Sequence, residues 1–143
     1  MWQALDLELY LLLPLALVLF LMALPVLSRK LYGKVDYVTP FELMKRLDAG
    51  ENLAIVDLRP EKEFSRGHIE GSFNVSVKEL EARINEKNTD FEAYKDNPLV
   101  LVCASDMHSI QAANKLKGQG FSNVSVVRGG INRWKRKHLP LGS

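Results

Sequence analysis

Residues 99–109, LVLVCASDMHS, carry the strongest structural signal in the sequence. The first four form the most apolar run of the C-terminal part, and a run without polar alternation is typical of a strand covered on both faces. From Ser109 to Lys117 the apolar residues recur with helical spacing, and Gly118 signals an end. The pattern therefore predicts a buried strand that passes into a helix, with Cys103 at the junction.

Strand and helix signals alternate on both sides of this junction. Thr39-Pro40-Phe41-Glu42 and Ser76-Val77-Lys78-Glu79 are capping boxes, each of which predicts the start of a helix. Further strands are expected close to residues 35–38, 53–56, 72–75 and 124–127. Alternating strands and short helices predict an α/β domain with a parallel sheet and helices on its faces.

The N-terminal part has a different composition. Leu9 to Leu27 contains nineteen residues without a charge. As a helix this segment would be about 28 Å long, close to the thickness of the bilayer hydrocarbon core. We therefore expect an N-terminus at residues 1–8, a transmembrane helix at 9–28, a basic linker at 29–36 and a soluble domain at 37–143.

Charges on the two flanks predict the orientation of this segment. Asp6 and Glu8 precede it without a basic residue, whereas Arg29, Lys30 and Lys34 follow it. By the positive-inside rule the first residues are extracytoplasmic and the C-terminal domain is cytoplasmic, so we expect a single-pass inner-membrane protein with the bilayer as partner. The alternative is a cleaved signal peptide, which needs a basic region before the apolar one and a good cleavage site. Both are missing.

Composition argues against several classes of function. The net charge is +2, so no strong field for nucleic acid is expected. A single cysteine excludes an intrachain disulfide. His68, His108 and His138 lack the spacing of metal ligands. No phosphate-binding glycine loop or nucleotide fingerprint appears, so we expect neither a metal nor a cofactor.

Cys103 lies where ligands bind in open α/β sheets, at the carboxyl end of a strand. The loop between that strand and the next helix can turn its N–H groups toward the sulfur and stabilise an anion there. A thiolate is the nucleophile that takes up sulfane sulfur, and the resulting persulfide is an anion that the same donors would hold. The alternative is a small buried thiol with a packing role only, which is common for free cysteines.

Two groups of motifs on either side of this loop resemble the rhodanese family. Asp57-Leu58-Arg59, Glu63-Phe64 and Gly67-His68-Ile69-Glu70-Gly71-Ser72-Phe73-Asn74 match the pattern D-x-R, E-[FY], G-H-I-x-G-[AS]-x-N. Arg128-Gly129-Gly130-Ile131-Asn132-Arg133-Trp134 matches the late G-G-x-x-x-W. The resemblance covers about Val38 to Pro140, and a membrane span followed by one such domain is similar to a known bacterial arrangement.

The resemblance implies a three-layer rhodanese-like fold and transfer of sulfane sulfur through a persulfide on Cys103, the catalytic position. Charge-assisted hydrogen bonds from Asp57, Arg59, Glu63 and His68 are expected to tie loops together. Gly129, Gly130 and Trp134 are expected to be residues of the fold. The active-site loop that would contact the substrate comprises Ala104, Ser105, Asp106, Met107, His108 and Ser109.

The loop departs from the family pattern. Many active members carry arginine just after the cysteine and near the loop end, with glycine between, where this chain has Ala104, His108 and Asp106. An anionic donor such as thiosulfate loses a bidentate partner, and Asp106 would repel it. The expected sulfur donor is therefore a small persulfide or a partner protein. A cysteine phosphatase would need arginine six residues after Cys103, where Ser109 stands.

The sequence thus favours a membrane-anchored sulfurtransferase of the rhodanese type. The main alternative is a catalytically weak or inactive rhodanese-homology module that binds a partner protein at the membrane. A redox-sensing thiol is a third, which would need a second thiol from elsewhere. A basic cluster, Arg133, Lys135, Arg136 and Lys137, could contact anionic lipid head groups or could be an ordinary solvated face.

Overall fold

A computed structural model describes residues 2–31, 34–86 and 89–143. The chain divides into two compact units, Met1–Lys34 and Val35–Ser143. The first unit contains helix α1, Trp2–Leu31, and the second contains the sheet and all other described helices.

Helix α1 is longer than the apolar segment inside it. Leu9–Leu27 is long and apolar enough to cross a membrane, and its side chains are exposed within this chain. The helix continues to Leu31, so it includes residues that we assigned to the linker at 29–36. Arg29 and Lys30 are good helix formers, which explains why helical hydrogen bonding extends beyond the apolar residues. Tyr32 and Gly33, also in that linker, lie outside the described residues.

The second unit is built on a five-stranded, all-parallel sheet. Its strands in chain order are β1 Asp36–Val38, β2 Ala54–Asp57, β3 Phe73–Asn74, β4 Leu99–Val102 and β5 Val124–Val127. The spatial order is β1-β5-β4-β2-β3, so β4 is central. The parallel sheet expected from the alternating signals is confirmed.

The remaining helices are α2 Pro40–Asp48, α3 Glu61–Phe64, α4 Val77–Asn85, α5 Thr89–Glu92, α6 Met107–Gly118 and α7 Gly130–Arg136. At α2 the capping box is complete, because Glu42 N–H donates to Thr39 Oγ1 at 3.2 Å and Thr39 N–H donates to Glu42 Oε2 at 2.7 Å. At α4 the box is only half formed. Ser76 Oγ accepts from Glu79 N–H, but the Glu79 carboxylate pairs with Arg83 instead.

Two apolar clusters occupy the two faces of the sheet. Strand β4 contributes to both, with Leu99 and Leu101 in one cluster and Val100 and Val102 in the other. The alternation places successive side chains on opposite faces, as a strand requires. Helices α4 and α6 cover the first cluster and helices α2 and α7 the second. This is the expected three-layer α/β arrangement, and it explains why all four residues of β4 are apolar.

Candidate functional site

Cys103 is the first residue after the central strand β4. It is 3% exposed and contributes to the cluster beneath α6. The loop that follows it lies at the surface, with Ala104 and Ser105 exposed and Asp106 half-buried. Helix α6 begins directly after this loop. Cys103 is therefore almost fully buried at the point where the strand passes into the loop.

The N–H groups of residues 104–109 donate to no protein acceptor in the described part of the chain. Ile110 is the first residue of this region whose N–H is paired, with Asp106 O at 2.9 Å. The opening N–H groups of a helix lack intrahelical acceptors, and a run of such donors attracts anions. These donors belong to the six residues that follow Cys103 in the sequence.

Helix α7 forms hydrogen bonds with carbonyl groups at the start of the loop. Ile131 N–H donates to Cys103 O at 2.8 Å, and Asn132 N–H donates to Ala104 O at 3.0 Å. In a trans peptide the C=O and the N–H of the same unit point in opposite directions. Because these two carbonyls face α7, the N–H groups of Ala104 and Ser105 point away from it. The loop thus has its carbonyls bonded on one side and its donors unpaired on the other.

Gly130 makes this close approach possible. A Cβ atom at this position would lie 1.8 Å from Ser105 O and 2.4 Å from Cys103 O, and the φ angle of Gly130 is +59°. Both the contact and the positive φ exclude a larger residue. Gly129, at φ +75°, donates its N–H to Asp106 Oδ2 at 3.3 Å. The two glycines of the late motif therefore position the cysteine loop, a more specific role than the general fold role that the sequence indicated.

Trp134 anchors helix α7 from its buried side. The indole ring is 1% exposed, and its Nε1–H donates to Pro140 O at 2.9 Å. A buried indole N–H that finds an acceptor fixes the ring in one orientation. The helix whose first residues hold the cysteine loop is therefore fixed at its other end by the core.

Asp57 and Arg59 form a buried ion pair at the end of β2. The Arg59 Nε and an Nη atom contact both carboxylate oxygens at 2.8–3.1 Å, and the same Nη donates to Gly67 O at 2.8 Å. The Asn74 amide donates to the carbonyls of Asp57 and Arg59 at 2.9 and 2.7 Å. Between them, Leu58 N–H donates to Val102 O at 2.8 Å. The network ties the D-x-R loop to the residue just before Cys103.

Glu63 and His68 do not belong to this charged network. The exposed Glu63 carboxylate has no hydrogen bond or ion pair with any described residue, so the expected tie through Glu63 is wrong. The reason is that water solvates an exposed carboxylate, so that no ion pair is required there. His68 donates through Nδ1 to Phe64 O at 3.0 Å and stacks on the Phe64 ring at 3.8 Å. This hydrogen bond of His68 goes to an uncharged backbone carbonyl and is not an ion pair.

The last residues of the loop differ in their surroundings. Met107 and His108 are exposed, and the His108 ring has no partner among the residues that the structure describes. Ser109 is fully buried, and its hydroxyl also lacks a partner within the described ranges. Neither the orphan hydroxyl nor the contact of Asp106 with Gly129 was foreseen from the sequence.

In the described residues no group of three His, Cys, Asp or Glu side chains is placed to hold a metal ion.

Comparison with known proteins gives a consistent family assignment. The model of the rhodanese-like domain matches residues 39–137. An uncharacterized protein of Escherichia coli K12, YibN, is 34% identical over 113 residues, which cover 79% of this chain and 76% of YibN. The thiosulfate sulfurtransferase GlpE of Shewanella oneidensis is 35% identical over 89 residues, covering 62% of this chain and 82% of GlpE.

A solved structure agrees with these sequence matches. The rhodanese-like domain of the Alr3790 protein from Anabaena superposes with a TM-score of 0.64 at 27% identity, covering 77% of this chain and 80% of that domain. The match to the family model, over residues 39–137, includes Cys103, its loop and both groups of motifs. On its fold and sequence, the chain belongs to the rhodanese-like domain family.

Proposed function

We propose that this protein is a membrane-anchored sulfurtransferase that carries sulfane sulfur as a persulfide on Cys103. The observation that supports the proposal most is the arrangement of the β4–α6 junction. Cys103 follows the central strand, the loop carbonyls bond to α7, and the N–H groups of residues 104–109 stay unpaired within the described residues. Unpaired main-chain donors beside a sulfur suit an anionic persulfide.

The chemistry consists of two displacements without net oxidation. The Cys103 thiolate attacks the outer sulfur of a donor persulfide, R–S–S⁻, forms a new S–S bond and releases R–S⁻. An acceptor nucleophile then attacks the outer sulfur of Cys103–S–S⁻, and Cys103 leaves as the thiolate. Each step needs an anionic sulfur to be stabilised at the same place, which is the task that the loop amides can perform.

The side chains of the loop favour a donor other than thiosulfate. Ala104 stands where many members of the family have arginine, and no residue of the loop from 104 to 109 has a permanent positive charge. Without a guanidinium there is no bidentate contact for a dianionic donor. We therefore propose a small persulfide or a partner protein as the sulfur source. The name of the related GlpE makes thiosulfate the comparison that a test must include.

The test uses the full chain in nonionic detergent. Exposure to glutathione persulfide is expected to add one sulfur atom to Cys103, detected by intact mass, and cyanide is expected to remove it as thiocyanate. Thiosulfate is expected to load the cysteine much more slowly. Cys103→Ser is the control and should remain unmodified. Absence of any persulfide after treatment with both donors would exclude the sulfurtransferase.

Membrane anchoring and orientation are the second part of the proposal. They are supported by the apolar helix Leu9–Leu27 and by the basic residues that follow it. We expect the protein to stay in the membrane pellet at alkaline pH and to retain an N-terminal epitope tag. At the C-terminus, a reporter that works only in the cytoplasm is expected to be active. A reporter that works only outside the cytoplasm is expected to be inactive there. Loss of the N-terminal tag would instead indicate a cleaved signal peptide.

A second candidate function is a tethered interaction module without catalysis, which Ala104 and the carboxylate of Asp106 favour. The two functions differ in what they require of the sulfur. A chromosomal Cys103→Ser substitution would abolish the cellular role of a sulfur carrier and would leave that of a binding module unchanged.

A further inference from the structure

The C-terminal part of the domain is strongly cationic. Residues 121–143 include five Arg and Lys residues and no Asp or Glu. Four of them form what we call the α7 cationic surface, Arg133, Lys135, Arg136 and Lys137. Three are exposed and Arg133 is half-buried. None of the four takes part in an ion pair within the described residues.

Part of this charge has an ordinary explanation. Cations in the last turn of a helix interact favourably with the helix dipole, typically by about 0.3–1 kcal/mol each. Helix α7 has only seven residues, and its cations extend past its end to Lys137. Four neighbouring positive charges repel each other, however, and no described carboxylate offsets that repulsion through an ion pair. The dipole alone does not account for their concentration on one short helix.

The α7 cationic surface adjoins the cysteine loop. The first residues of α7, Ile131 and Asn132, donate to the carbonyls of Cys103 and Ala104, and Arg133 follows immediately. Seven helical residues are about 10 Å long, so the four cations lie within roughly one Debye length of the loop contacts along the helix axis. The loop itself has no permanent cation, and its one carboxylate, Asp106, is bound to Gly129 N–H. Between the loop and α7, the permanent cations that can attract an anionic ligand are therefore those of α7.

We propose that the α7 cationic surface selects an acidic polypeptide segment that carries the thiol with which Cys103 exchanges sulfur. This inference rests on the proposed function and names its protein partner. An extended segment with two acidic residues is about 7 Å long, similar to the roughly 6 Å of helical rise from Arg133 to Lys137. The exposed Met107 on the loop, 64% accessible, adds an apolar contact of the kind found at protein interfaces.

Two other anionic ligands fit the same observations less well. Because α7 bonds to the cysteine loop, a bilayer bound to α7 would lie next to that loop and would hinder the access to Cys103 that the proposal requires. A small dianion would be held best by a bidentate guanidinium inside the loop, which is absent. An anionic segment can pair its charges with separate cations along a helix, so it does not need a bidentate contact.

The transfer step balances in the same way as the general reaction. The thiolate of the acidic segment attacks the outer sulfur of Cys103–S–S⁻. A new S–S bond forms on the partner, the S–S bond at Cys103 breaks, and its electron pair returns to the Cys103 thiolate. No oxidant or reductant is needed.

The experiment compares three synthetic acceptor peptides of equal length. Each contains one cysteine flanked by four residues that are all acidic, all neutral amides or all basic. The full chain in nonionic micelles is loaded with one sulfur, freed of donor and mixed with each peptide. At low salt the acidic peptide is expected to react about 10-fold faster than the neutral one, and the basic peptide more slowly. In 1 M salt, where the Debye length is about 3 Å, the three rates are expected to converge.

Matched variants identify the surface responsible. Lys135→Glu with Arg136→Glu brings the net charge of the α7 cationic surface from +4 to 0 and is expected to abolish the preference between acidic and basic peptides. Lys45→Glu with Lys78→Glu changes the net charge equally at exposed positions on α2 and α4 and is expected to preserve the preference. In 1 M salt, where these charges are screened, transfer to mercaptoethanol should be the same for all variants, which also shows that each one folds and holds its sulfur.

The outcomes separate this inference from the proposed function. If no persulfide forms, the sulfurtransferase itself fails. If the persulfide forms and reacts with mercaptoethanol, but the three peptides react at equal rates at low salt, only the acidic-partner inference is overturned. In that case, protection of Cys103 by micelles that contain phosphatidylglycerol would assign the surface to lipid instead.

Discussion

At single residues, the family motifs act mainly by placing the cysteine loop. Gly130 lets the main chain of α7 reach the carbonyls of Cys103 and Ser105, which a Cβ atom would prevent. Asp57 and Arg59 neutralise each other in the core beside the end of β4. A buried pair of this kind is costly to break, because the remaining charge loses its partner and cannot regain water. Each motif therefore has a stability role that can be measured apart from catalysis.

The substitution Gly130→Ala is expected to destabilise the fold by about 2–4 kcal/mol, because it adds a clash to a strained positive φ. It should also slow persulfide formation, since the loop has to shift. The measurement is chemical unfolding together with sulfur loading. The matched control is Gly118→Ala, where a Cβ would meet nothing within 4 Å, and the expected change is neutral or up to about 1 kcal/mol stabilising. Equal effects at both glycines would contradict this account.

Arg59→Leu is expected to lower the free energy of unfolding by roughly 3–5 kcal/mol, because it leaves the Asp57 carboxylate buried without a countercharge. The comparison is Arg83→Leu, which removes the exposed pair with Glu79 and is expected to cost less than about 1 kcal/mol. Urea unfolding of both variants measures the difference. A small cost at Arg59 would show that its pair with Asp57 is not needed for the fold.

Ser109→Ala is expected to raise the free energy of unfolding by about 1 kcal/mol, because it removes a buried hydroxyl that has no partner among the described residues. Ser72→Ala serves as the contrast. The Ser72 hydroxyl donates to Ile69 O at 2.6 Å, so its removal should lower stability by a similar amount. Destabilisation by Ser109→Ala in thermal unfolding would mean that its hydroxyl is satisfied in solution.

Among the helices, α2 and α4 show how similar signals lead to different caps. Both have a serine or threonine that accepts from the third helical N–H, but only Glu42 returns a hydrogen bond to the cap residue. Glu79 is drawn away by Arg83 four residues later, an interaction that helices favour on their exposed faces. A capping-box sequence therefore predicts where a helix begins more reliably than which hydrogen bonds form there.

Thr39→Ala is expected to destabilise the domain by about 1 kcal/mol through loss of the cap on α2. Hydrogen bonds from the Thr39 backbone and hydroxyl hold the pKa of Glu42 below its ordinary value. A lowered pKa in the folded state means that this contribution is present at neutral pH and is lost as the pH falls through that pKa. The difference in stability between Thr39→Ala and the parent should therefore shrink in acid to the part contributed by the hydrogen bond from Glu42 N–H to Thr39 Oγ1, which does not titrate. A constant difference down to pH 2–3, below the usual range of Glu, would argue against the carboxylate's part in the cap.

The whole chain consists of two units with different physical requirements. The N-terminal helix exposes an uninterrupted apolar surface, whereas the unit Val35–Ser143 buries its own core on both faces of the sheet. Cys103, its loop and α7 all belong to the second unit, so the proposed sulfur chemistry requires nothing from the first.

Deletion of residues 1–34 is therefore expected to yield a monodisperse soluble protein that loads sulfur on Cys103 at the rate of the full chain in detergent. Analytical ultracentrifugation and intact mass measure the two properties. Alkaline extraction of membranes should recover the full chain in the pellet and the truncated chain in the supernatant. A truncated chain that aggregates or fails to load sulfur would show that the N-terminal helix contributes to the domain.

Local sequence was sufficient for the elements and for the position of Cys103. An apolar run, a capping box and a helical period each involve neighbouring residues, so strand β4, helix α2 and the junction between β4 and α6 could be predicted. The family motifs then identified the fold, because they combine such local features in a characteristic order.

Tertiary packing alone established the partners within the site. Asp106 lies 23 positions before the Gly129 amide that it accepts from, and Gly130 meets the carbonyl of Ser105 through the packing of α7. The exposed Glu63 carboxylate pairs with none of the residues that the structure describes, which its place in the motif does not reveal. Hydrogen bonds require atoms within about 3 Å, and only the folding of distant segments against each other brings those atoms that close.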